Sequence, residues 1–186
     1  MTHDLIIELI ILVLALAAVA SVLGLYLLSG TPPLPSSPPV KKAMLAALPD
    51  KLEGAVYELG SGWGGLAFAL ARRYPDCHVT GLEISPLPWT FSRLRLLLQP
   101  TPNLSFRFRN FHNVSQSDAV LVVCYLGPRA MEKLKLKLEV ELKPATLVLS
   151  IFFRVPDWCP ASELTVQDMH RTTVYLYRVG EKNVRI

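Results

Sequence analysis

The chain is poor in cysteine, and this argues against two common ways of organising a small protein. Its 186 residues include three cysteines, which lie far apart and have neither metal-ligand spacing nor the even number typical of a disulfide framework. His112 and His170 stand alone in the sequence, without a partner pattern. A metal centre and a disulfide scaffold are therefore not expected, and a reducing compartment is favoured.

Charge is sparse as well. The net charge is +4 and the isoelectric point is near 9.1, without a strong basic patch. Such a mild excess of positive charge does not indicate a nucleic-acid partner. Internal repeats are also absent, which excludes repeat architectures. Hydrophobic residues make up 51% of the chain, enough to form a core.

A long uncharged run lies near the N-terminus. Residues 9–28 contain no Asp, Glu, Lys or Arg and are rich in Leu, Ile, Val and Ala. As a helix, a run of this length rises about 30 Å, the thickness of a bilayer core. We interpret residues 1–29 as a transmembrane anchor. A cleaved signal peptide is the alternative, because residues 18–20 resemble a cleavage site, but no Lys or Arg precedes the run.

The sequence on either side of this run predicts its orientation. Acidic residues precede the run, whereas Lys41 and Lys42 follow it. The positive-inside rule then places the remainder of this single-pass membrane protein on the cytoplasmic side, or its equivalent. Residues 30–39 include five prolines and predict a stiff linker, so the folded domain is expected over residues 40–186.

The most informative segment joins an apolar run to a cluster of glycines. Residues 55–59 contain one acidic residue, Glu58; glycines occupy positions 60, 62, 64 and 65, and an Ala-rich helical pattern follows. This order of strand, turn and helix is typical of nucleotide-binding α/β folds, in which glycine lets a ligand approach the backbone and the helix N-terminus offers free N–H groups. A second carboxylate, Glu83, comes near the end of the next apolar run and suits ribose hydroxyls. No Walker lysine follows the glycines, so a P-loop is excluded.

The rest of the chain predicts alternating strands and helices. Strands are predicted over residues 56–59, 78–84, 104–109, 118–125 and 147–153, and helices over residues 40–47, 65–73, 87–98 and 131–143. Two further strands, at residues 163–168 and 173–179, predict an antiparallel hairpin. The pattern predicts an α/β fold whose doubly wound, mostly parallel sheet ends in this hairpin and is preceded by one transmembrane helix.

Residues 131–143 are ambiguous, because leucines alternate with charges as in a strand and also form a helical stripe. The strands predicted on either side are buried and parallel, and such strands need a crossover, which is usually helical. We therefore favour a helix, with Lys133, Lys135 and Lys137 on a solvated face.

Several motifs carry a resemblance to a known family. Glu-x-Gly-x-Gly-x-Gly at residues 58–64 resembles the cofactor loop of class I S-adenosylmethionine-dependent methyltransferases. The other motifs are PPVxxxML at 38–45, GxExxP at 81–86, LxxKLxxEL at 134–142 and FRxPxWxP at 153–160. Together they resemble the small membrane-anchored protein-lysine methyltransferases, which include enzymes acting on the adenine nucleotide translocase and on the ATP synthase c-subunit, with bacterial and archaeal relatives. The segment at 153–160 is the most specific part.

The resemblance implies S-adenosylmethionine as cofactor. Glu58 is expected to bind its amino group directly or through water, and Glu83 its ribose. Asn110 is expected to bind the adenine amino group, with Phe111 stacked near the base. Trp63 departs from the family, which usually has a small or acidic residue there, and it either covers the methionine moiety or hinders binding. The complete expected cofactor set is Glu58, Gly60, Ser61, Gly62, Trp63, Gly64, Glu83, Ile84, Asn110 and Phe111.

The expected catalytic residues surround a channel for the substrate amine. Tyr125, at the end of the fourth predicted strand, and Trp158, after the fifth, are expected to line it, with Asp157 orienting an incoming ammonium. An apolar, aromatic channel favours the neutral amine by desolvation. Structural roles are the alternatives, with Trp158 as a cap on the core and Asp157 as a turn residue.

The expected function is methylation of lysine side chains in a membrane or membrane-proximal protein. A small-molecule or lipid methyltransferase on the same fold and a non-catalytic S-adenosylmethionine-binding protein are the alternatives. A nucleic-acid enzyme is disfavoured, because residues 124–128 read CYLGP where such enzymes have an Asn-Pro-Pro-Tyr type of segment.

Overall fold

The computed structural model describes residues 4–13, 16, 19 and 37–180. The strands are β1 (Gly54–Leu59), β2 (Cys77–Glu83), β3 (Leu104–Phe108), β4 (Ala119–Cys124), β5 (Leu147–Ile151), β6 (Ser162–Thr165) and β7 (Thr173–Arg178). They form one seven-stranded sheet in the order β3-β2-β1-β4-β5-β7-β6. The first five strands pair in parallel, and β7 pairs antiparallel with β5 and β6. The predicted mixed sheet with a terminal antiparallel hairpin is confirmed.

Helices cover both faces of this sheet. Within residues 37–180 they are α1 (Pro38–Ala47), α2 (Gly65–Arg73), α3 (Pro86–Leu98) and α4 (Pro128–Glu141). Because side chains alternate along each strand, the two faces have separate cores. The first cluster joins α1 and α2 to the sheet with contributions from α3, and the second cluster joins α4 to the other face. The strand order reverses between β1 and β4, and ligands of such sheets bind there, at the carboxyl ends of the strands.

The helical interpretation of residues 131–143 is confirmed by α4, which connects β4 to the parallel strand β5. The expectation of a solvated lysine face was wrong for two of its three members. The side chains of Lys135 and Lys137 are only 19% and 11% exposed and form ion pairs, while Lys133 is exposed. Their long apolar stems lie against the protein surface while the charged ends reach carboxylates, which a sequence pattern does not reveal.

Several predicted boundaries differ from the structure by one to three residues, and two of the differences have a clear physical cause. Helix α1 begins at Pro38, so the last two residues of the predicted linker belong to its first turn. Proline is tolerated there because the N–H groups of the first turn have no hydrogen-bond partner within the helix. Strand β6 ends at Thr165, before the predicted residue 168. The carboxylate of Asp168 accepts hydrogen bonds from the N–H and hydroxyl of Thr172, at 2.8 and 2.7 Å, and this turn ends the strand early.

The N-terminal segment is described only in part. Residues 4–13, 16 and 19 are helical and their side chains are exposed. Most of the predicted anchor, residues 9–28, and most of the predicted linker lie outside the described residues. Among the residues that are described, no helix combines the length and the apolar character needed to cross a bilayer.

Candidate active site

The glycine loop joins β1 to α2 at the carboxyl edge of the sheet. Gly60, Gly62 and Gly64 have positive φ angles of 73°, 50° and 75°, which residues with side chains disfavour. Gly64 also has no room, because a Cβ there would lie 2.6 Å from Cζ of Phe106. At Gly62, by contrast, no atom of the described residues lies within 4 Å of the Cβ position. The loop is therefore tight on its core side and open at Gly62, where a ligand has space to approach the backbone.

Glu83 fastens this loop to the end of β2. Its Oε2 accepts a hydrogen bond from the N–H of Gly62 at 2.7 Å, and its Oε1 accepts from the N–H groups of Ile84 and Ser85 at 2.9 and 2.7 Å. An ionised carboxylate has about four acceptor positions. The buried carboxylate is thus held in one orientation and retains acceptor capacity, as a partner for ribose hydroxyls requires.

Glu58, near the end of β1, is buried and incompletely paired. Its carboxyl group accepts a hydrogen bond from the N–H of Ala67. Among the described residues, Oε2 of Glu58 and the hydroxyl of Ser61 have no hydrogen-bond partner. Burial raises the pKa of Glu58 well above its usual range; the Ala67 hydrogen bond opposes this and the charge of Glu83 adds to it. A buried carboxylate oxygen without a partner is costly, and a cationic amino group beside it would remove that cost.

Lys41 is a site residue that the sequence analysis missed. It extends from α1 so that its Nζ lies 3.0 Å from the position a Cβ of Gly65 would take, at the first residue of α2. Its charge also lowers the pKa of Glu58. A cation beside a helix N-terminus is unfavourable unless an anion lies there too. Lys41 and the α2 N–H groups are thus suited to a carboxylate, next to a Glu58 that is suited to an ammonium. The sequence feature that could have pointed to Lys41 is its position inside the PPVxxxML motif at residues 38–45.

Helix α3 supports the loop from the side. The hydroxyl of Ser92 donates to the carbonyl of Gly62 at 2.9 Å and lies 3.0 Å from the carbonyl of Pro88. The indole of Trp63 meets the ring of Phe91 edge-on, with centroids 5.3 Å apart. Trp63 is therefore half-buried against α3, and its two expected roles toward the methionine moiety stay predictions.

The residues expected at the adenine end lie after β2 and β3. Ile84 is 40% exposed, directly after Glu83. Oδ1 of Asn110 accepts from the N–H of His112 at 2.9 Å and begins a short 3₁₀ helix, Phe111–Asn113, that the sequence did not predict. Phe111 packs beside His112, with ring centroids 4.4 Å apart. This capping fixes the orientation of Asn110, and the adenine roles of Asn110 and Phe111 stay predictions.

Tyr125 contributes to an aromatic wall after β4 and β5. Its ring stacks on Phe152 at 6.4 Å between centroids, and Phe152 meets Phe153 at 4.8 Å. Phe152 has a φ of 75°, which a bulky residue rarely adopts and which occurs where surrounding structure imposes it. Phe152 is a second residue that sequence reasoning missed, because its strained backbone leaves no mark in a hydrophobic pattern.

Trp158 and Asp157 are bound to α4. The indole N–H of Trp158 donates to Oε1 of Glu139 at 3.0 Å, and Nζ of Lys135 donates to Oδ2 of Asp157 at 2.6 Å. Trp158 packs with the second cluster, whereas Tyr125 packs with the first. Of the three expected channel residues, Asp157 and Trp158 are thus held by side chains of α4, and Tyr125 packs on Phe152. The φ of 60° at Asp157 fits the turn interpretation, and the catalytic roles remain predictions.

The segment at residues 153–160 also joins β5 to the terminal hairpin. Arg154 donates to both carboxylate oxygens of Glu163, at 2.8 and 2.7 Å, and its guanidinium lies 5.1 Å from the ring centre of Tyr175. The hydroxyl of Tyr177 accepts from the N–H of Val155 at 3.0 Å. Burial raises the pKa of Tyr177 to about 12, so this hydroxyl stays protonated. These contacts fix the segment beside the carboxyl ends of β4 and β5.

Comparison with known proteins identifies the family. Residues 58–162 match the family described as the ANTKMT methyltransferase domain. The chain belongs to this family. It is 33% identical over 157 residues to a protein-lysine N-methyltransferase of Saccharolobus islandicus, a match that covers 81% of this chain and 94% of that protein. It is also 31% identical over 108 residues to the ATP synthase c-subunit lysine N-methyltransferase of Xenopus laevis, covering 58% of this chain and 47% of that protein.

Solved structures support the cofactor of this ANTKMT-family chain. An RNA methyltransferase from Salinibacter ruber, in complex with S-adenosyl-L-homocysteine, is 27% identical, with a TM-score of 0.72 over 82% of this chain and 98% of that one. A precorrin-6y C5,15-methyltransferase from Geobacter metallireducens shares the fold at 12% identity and a TM-score of 0.60. The chain is an S-adenosylmethionine-dependent methyltransferase. Its site fits that cofactor, because Oε2 of Glu58 has no donor among the described residues, Lys41 lies beside a helix N-terminus and Gly62 faces open space.

Proposed function

We propose that this methyltransferase acts on lysine side chains of a membrane or membrane-proximal protein. The observation that carries the lysine assignment is the similarity to the Saccharolobus islandicus enzyme, which extends over 94% of that protein. Similarity to the Xenopus laevis enzyme, named for a component of the ATP synthase, supports a protein substrate. A purely generic class I fold would not distinguish among acceptors.

The cofactor is held by complementary charges at its amino-acid end. Glu58 binds the ammonium group, and Lys41 together with the N-terminus of α2 binds the carboxylate. Glu83 would bind the ribose hydroxyls while its Oε2 holds the N–H of Gly62, and the hydroxyl of Ser92 occupies the carbonyl of the same glycine. When bound, S-adenosylmethionine supplies a methyl group on a positively charged sulfur. Most of the rate gain then comes from alignment of the acceptor amine.

The acceptor amine must be neutral to react, although a free lysine has a pKa near 10.4. The aromatic wall of Tyr125 and Phe152 disfavours the charged ammonium by removing water from it. The substrate lysine would first lose a proton to water, so that its neutral Nζ could accept the methyl group and leave S-adenosylhomocysteine as the second product. No side chain of the chain is needed as a strong base in this sequence of events.

The experiment is a labelling assay with the full chain. Cell membranes and a total RNA fraction are incubated with the enzyme and S-adenosylmethionine carrying a labelled methyl group. Label is then measured in protein, organic-soluble and nuclease-sensitive fractions, and labelled protein is hydrolysed to identify methyllysine. We expect label in methyllysine, and its loss with Glu58→Ala. Label confined to lipid or to RNA would overturn the lysine assignment.

We further propose that residues 9–28 anchor the enzyme in a membrane, with the catalytic domain on the cytoplasmic side. The uncharged run and the lysines that follow it support this proposal. Alkaline extraction of membranes is the test, with protease added to sealed vesicles to establish the side. Release of the chain at high pH, or an intact mass that lacks the first residues, would favour the signal-peptide alternative.

A further inference from the structure

Helix α3 carries an exposed apolar stripe. Leu87, Phe91, Leu94 and Leu98 follow the spacing i, i+4, i+7, i+11, so they lie along one side of the helix. Their exposed fractions are 40%, 47%, 55% and 84%. The core side of α3 is instead formed by Pro88 and Ser92, which are buried. Contiguous exposed apolar surface of this kind marks a site of interaction more often than a free surface.

The charge around this stripe is of one sign. Between Glu83 and Asp118 the sequence contains no acidic residue but four arginines, and this segment alone accounts for the chain's net charge of +4. Arg93 lies on the exposed side of α3, and Arg109 is exposed just after the edge strand β3. The apolar stripe is therefore set in a positively charged region, which complements an anionic surface.

Other apolar side chains extend the same surface. Phe108 of β3 is 46% exposed and packs beside Trp89 of α3, with ring centroids 5.3 Å apart. At the other side, Phe91 touches Trp63 of the glycine loop. We name the stripe together with Phe108 the α3 surface. It reaches from the edge of the sheet to the cofactor loop, so whatever covers it lies next to the active site.

The chain before α1 favours a membrane as the occupant. The uncharged run ends at residue 28, and about nine residues, rich in proline, separate it from α1. An extended proline-rich segment spans about 3 Å per residue, so this one reaches about 30 Å at most. Helix α1 begins on the glycine-loop side of the domain, because Lys41 in its first turn lies over Gly65. A membrane-embedded run would thus hold that side of the domain close to lipid.

From these observations we propose that the α3 surface docks onto an anionic lipid bilayer. The stripe of Leu87, Phe91, Leu94 and Leu98 enters the interface, and Arg93 binds lipid phosphates, as in helices that lie flat on membranes. Docking places the glycine loop and Trp63 at the membrane surface, where a lysine at the end of a membrane-spanning segment is within reach. The inference rests in part on the proposed anchor, but it concerns a different part of the chain.

The test compares environment-sensitive probes on opposite faces of the sheet. Full-length chains carry Cys159→Ser together with either Leu94→Cys on α3 or Leu136→Cys on α4, labelled with a nitrobenzoxadiazole dye. Leu94 and Leu136 are a matched pair, because both are exposed leucines on helices, at 55% and 66%. The proteins are reconstituted into vesicles of phosphatidylcholine alone or mixed with phosphatidylglycerol, and quenching by nitroxide lipids is measured.

We expect the dye at position 94 to be quenched several-fold more in anionic than in neutral vesicles, and the dye at position 136 to be quenched equally little in both. Arg93→Gln should reduce the docked-to-undocked ratio about fivefold, because one basic residue near an anionic surface contributes about 1 kcal/mol. Equal quenching at both positions would overturn the proposal. A dye at position 94 that is blue-shifted in vesicles but not quenched by nitroxide lipids would also overturn it, since a second copy or another segment of the chain would then cover α3.

The outcome is independent of the catalytic assignment. Binding of S-adenosylhomocysteine and methylation of a substrate are measured on the same preparations. Glu58→Ala should abolish methylation while the quenching difference remains. Loss of the quenching difference with intact methylation would reject the docking surface alone. An intact quenching difference without methylation of any lysine would reject the proposed function alone.

Discussion

The N–H of Gly62 donates to Oε2 of Glu83 at 2.7 Å, so the glycine loop and the end of β2 form one unit. The two residues are adjacent in space because β1 and β2 are parallel neighbours whose carboxyl ends meet at the same edge. Glu83 thus orients the loop before any ligand binds, and it retains acceptor capacity for the ligand. We therefore expect its carboxylate to link the stability of the loop to the affinity for the cofactor.

Replacing Glu83 by Gln should lower both the stability of the fold and the affinity for the cofactor. An amide presents one acceptor oxygen where the carboxylate presents two, so at least one of the three backbone N–H groups is left unpaired, which costs about 1–3 kcal/mol of unfolding free energy. The affinity for S-adenosylhomocysteine should fall about tenfold or more. Calorimetry and urea unfolding measure the two effects. Glu132→Gln, at an exposed position of α4, is the control, and equal results for both variants would contradict the role of Glu83.

Lys41 and Lys42 are adjacent lysines of α1, and comparing them tests whether Lys41 contacts the cofactor. Lys41→Met should reduce cofactor affinity about 10–100-fold, because one charge-assisted hydrogen bond to the cofactor carboxylate is lost. Lys42→Met removes the same charge from the exposed side of α1 and should leave affinity unchanged. The measurement is calorimetric titration with S-adenosylhomocysteine at several salt concentrations. Similar losses for both variants would indicate a general electrostatic effect and not a contact.

Most of the fold was predictable because its signals are local. The buried runs of β4 and β5 and the glycines after β1 appear in continuous sequence, and the parallel pairing then required a crossover helix where α4 lies. Glu58 and Glu83 were found for the same reason, since each sits near the end of such a run. Local pattern therefore located the glycine loop and the two carboxylates beside it, whose cofactor roles stay predictions.

The rest depends on contacts between distant segments. Lys41 reaches the site only because α1 packs next to α2, and a lysine after two prolines has no local signature of that contact. Tyr125 and Trp158 both follow strands, but a strand pattern does not state which face a following side chain takes. They pack with different clusters in the structure. The channel roles of Tyr125 and Trp158 stay predictions, and Phe152, which packs on Tyr125, was not among the residues that the sequence suggested.

Two glycines of the loop should respond differently to alanine. Gly64→Ala combines a positive φ with a Cβ that would overlap Phe106, so it should destabilise the fold by more than the about 1–2 kcal/mol of backbone strain alone. Gly62→Ala carries similar strain, but its Cβ would meet no atom within 4 Å in the part of the chain that the structure describes, so most of its effect should be lost cofactor affinity. Thermal unfolding without S-adenosylhomocysteine measures the loss of stability in each variant, and the added stability with S-adenosylhomocysteine measures its remaining affinity. A Gly62→Ala protein that binds normally would show that the open space is not the ligand path.

Glu58 should give the unliganded enzyme a characteristic pH dependence. Burial raises the pKa of its carboxyl group above the ordinary value of 4.5, so the folded state binds this proton more tightly than the unfolded state does. The unfolding free energy should then fall as pH rises from about 4.5 through the raised pKa. Glu58→Gln keeps the size of the side chain but removes the charge, so it should lack this slope and be more stable than the unmodified chain at neutral pH.

With the cofactor product bound, the unmodified chain should become more stable than Glu58→Gln at neutral pH. The ionised Glu58 gains an ammonium partner in the complex, so stabilisation by S-adenosylhomocysteine should grow with pH over the same interval in the unmodified chain and stay flat in Glu58→Gln. Urea unfolding at steps between about pH 5 and pH 8, with and without ligand, measures both trends. A constant difference between the two proteins across this range would mean that Glu58 does not change its proton occupancy on folding, and that its unpaired oxygen is satisfied by another group.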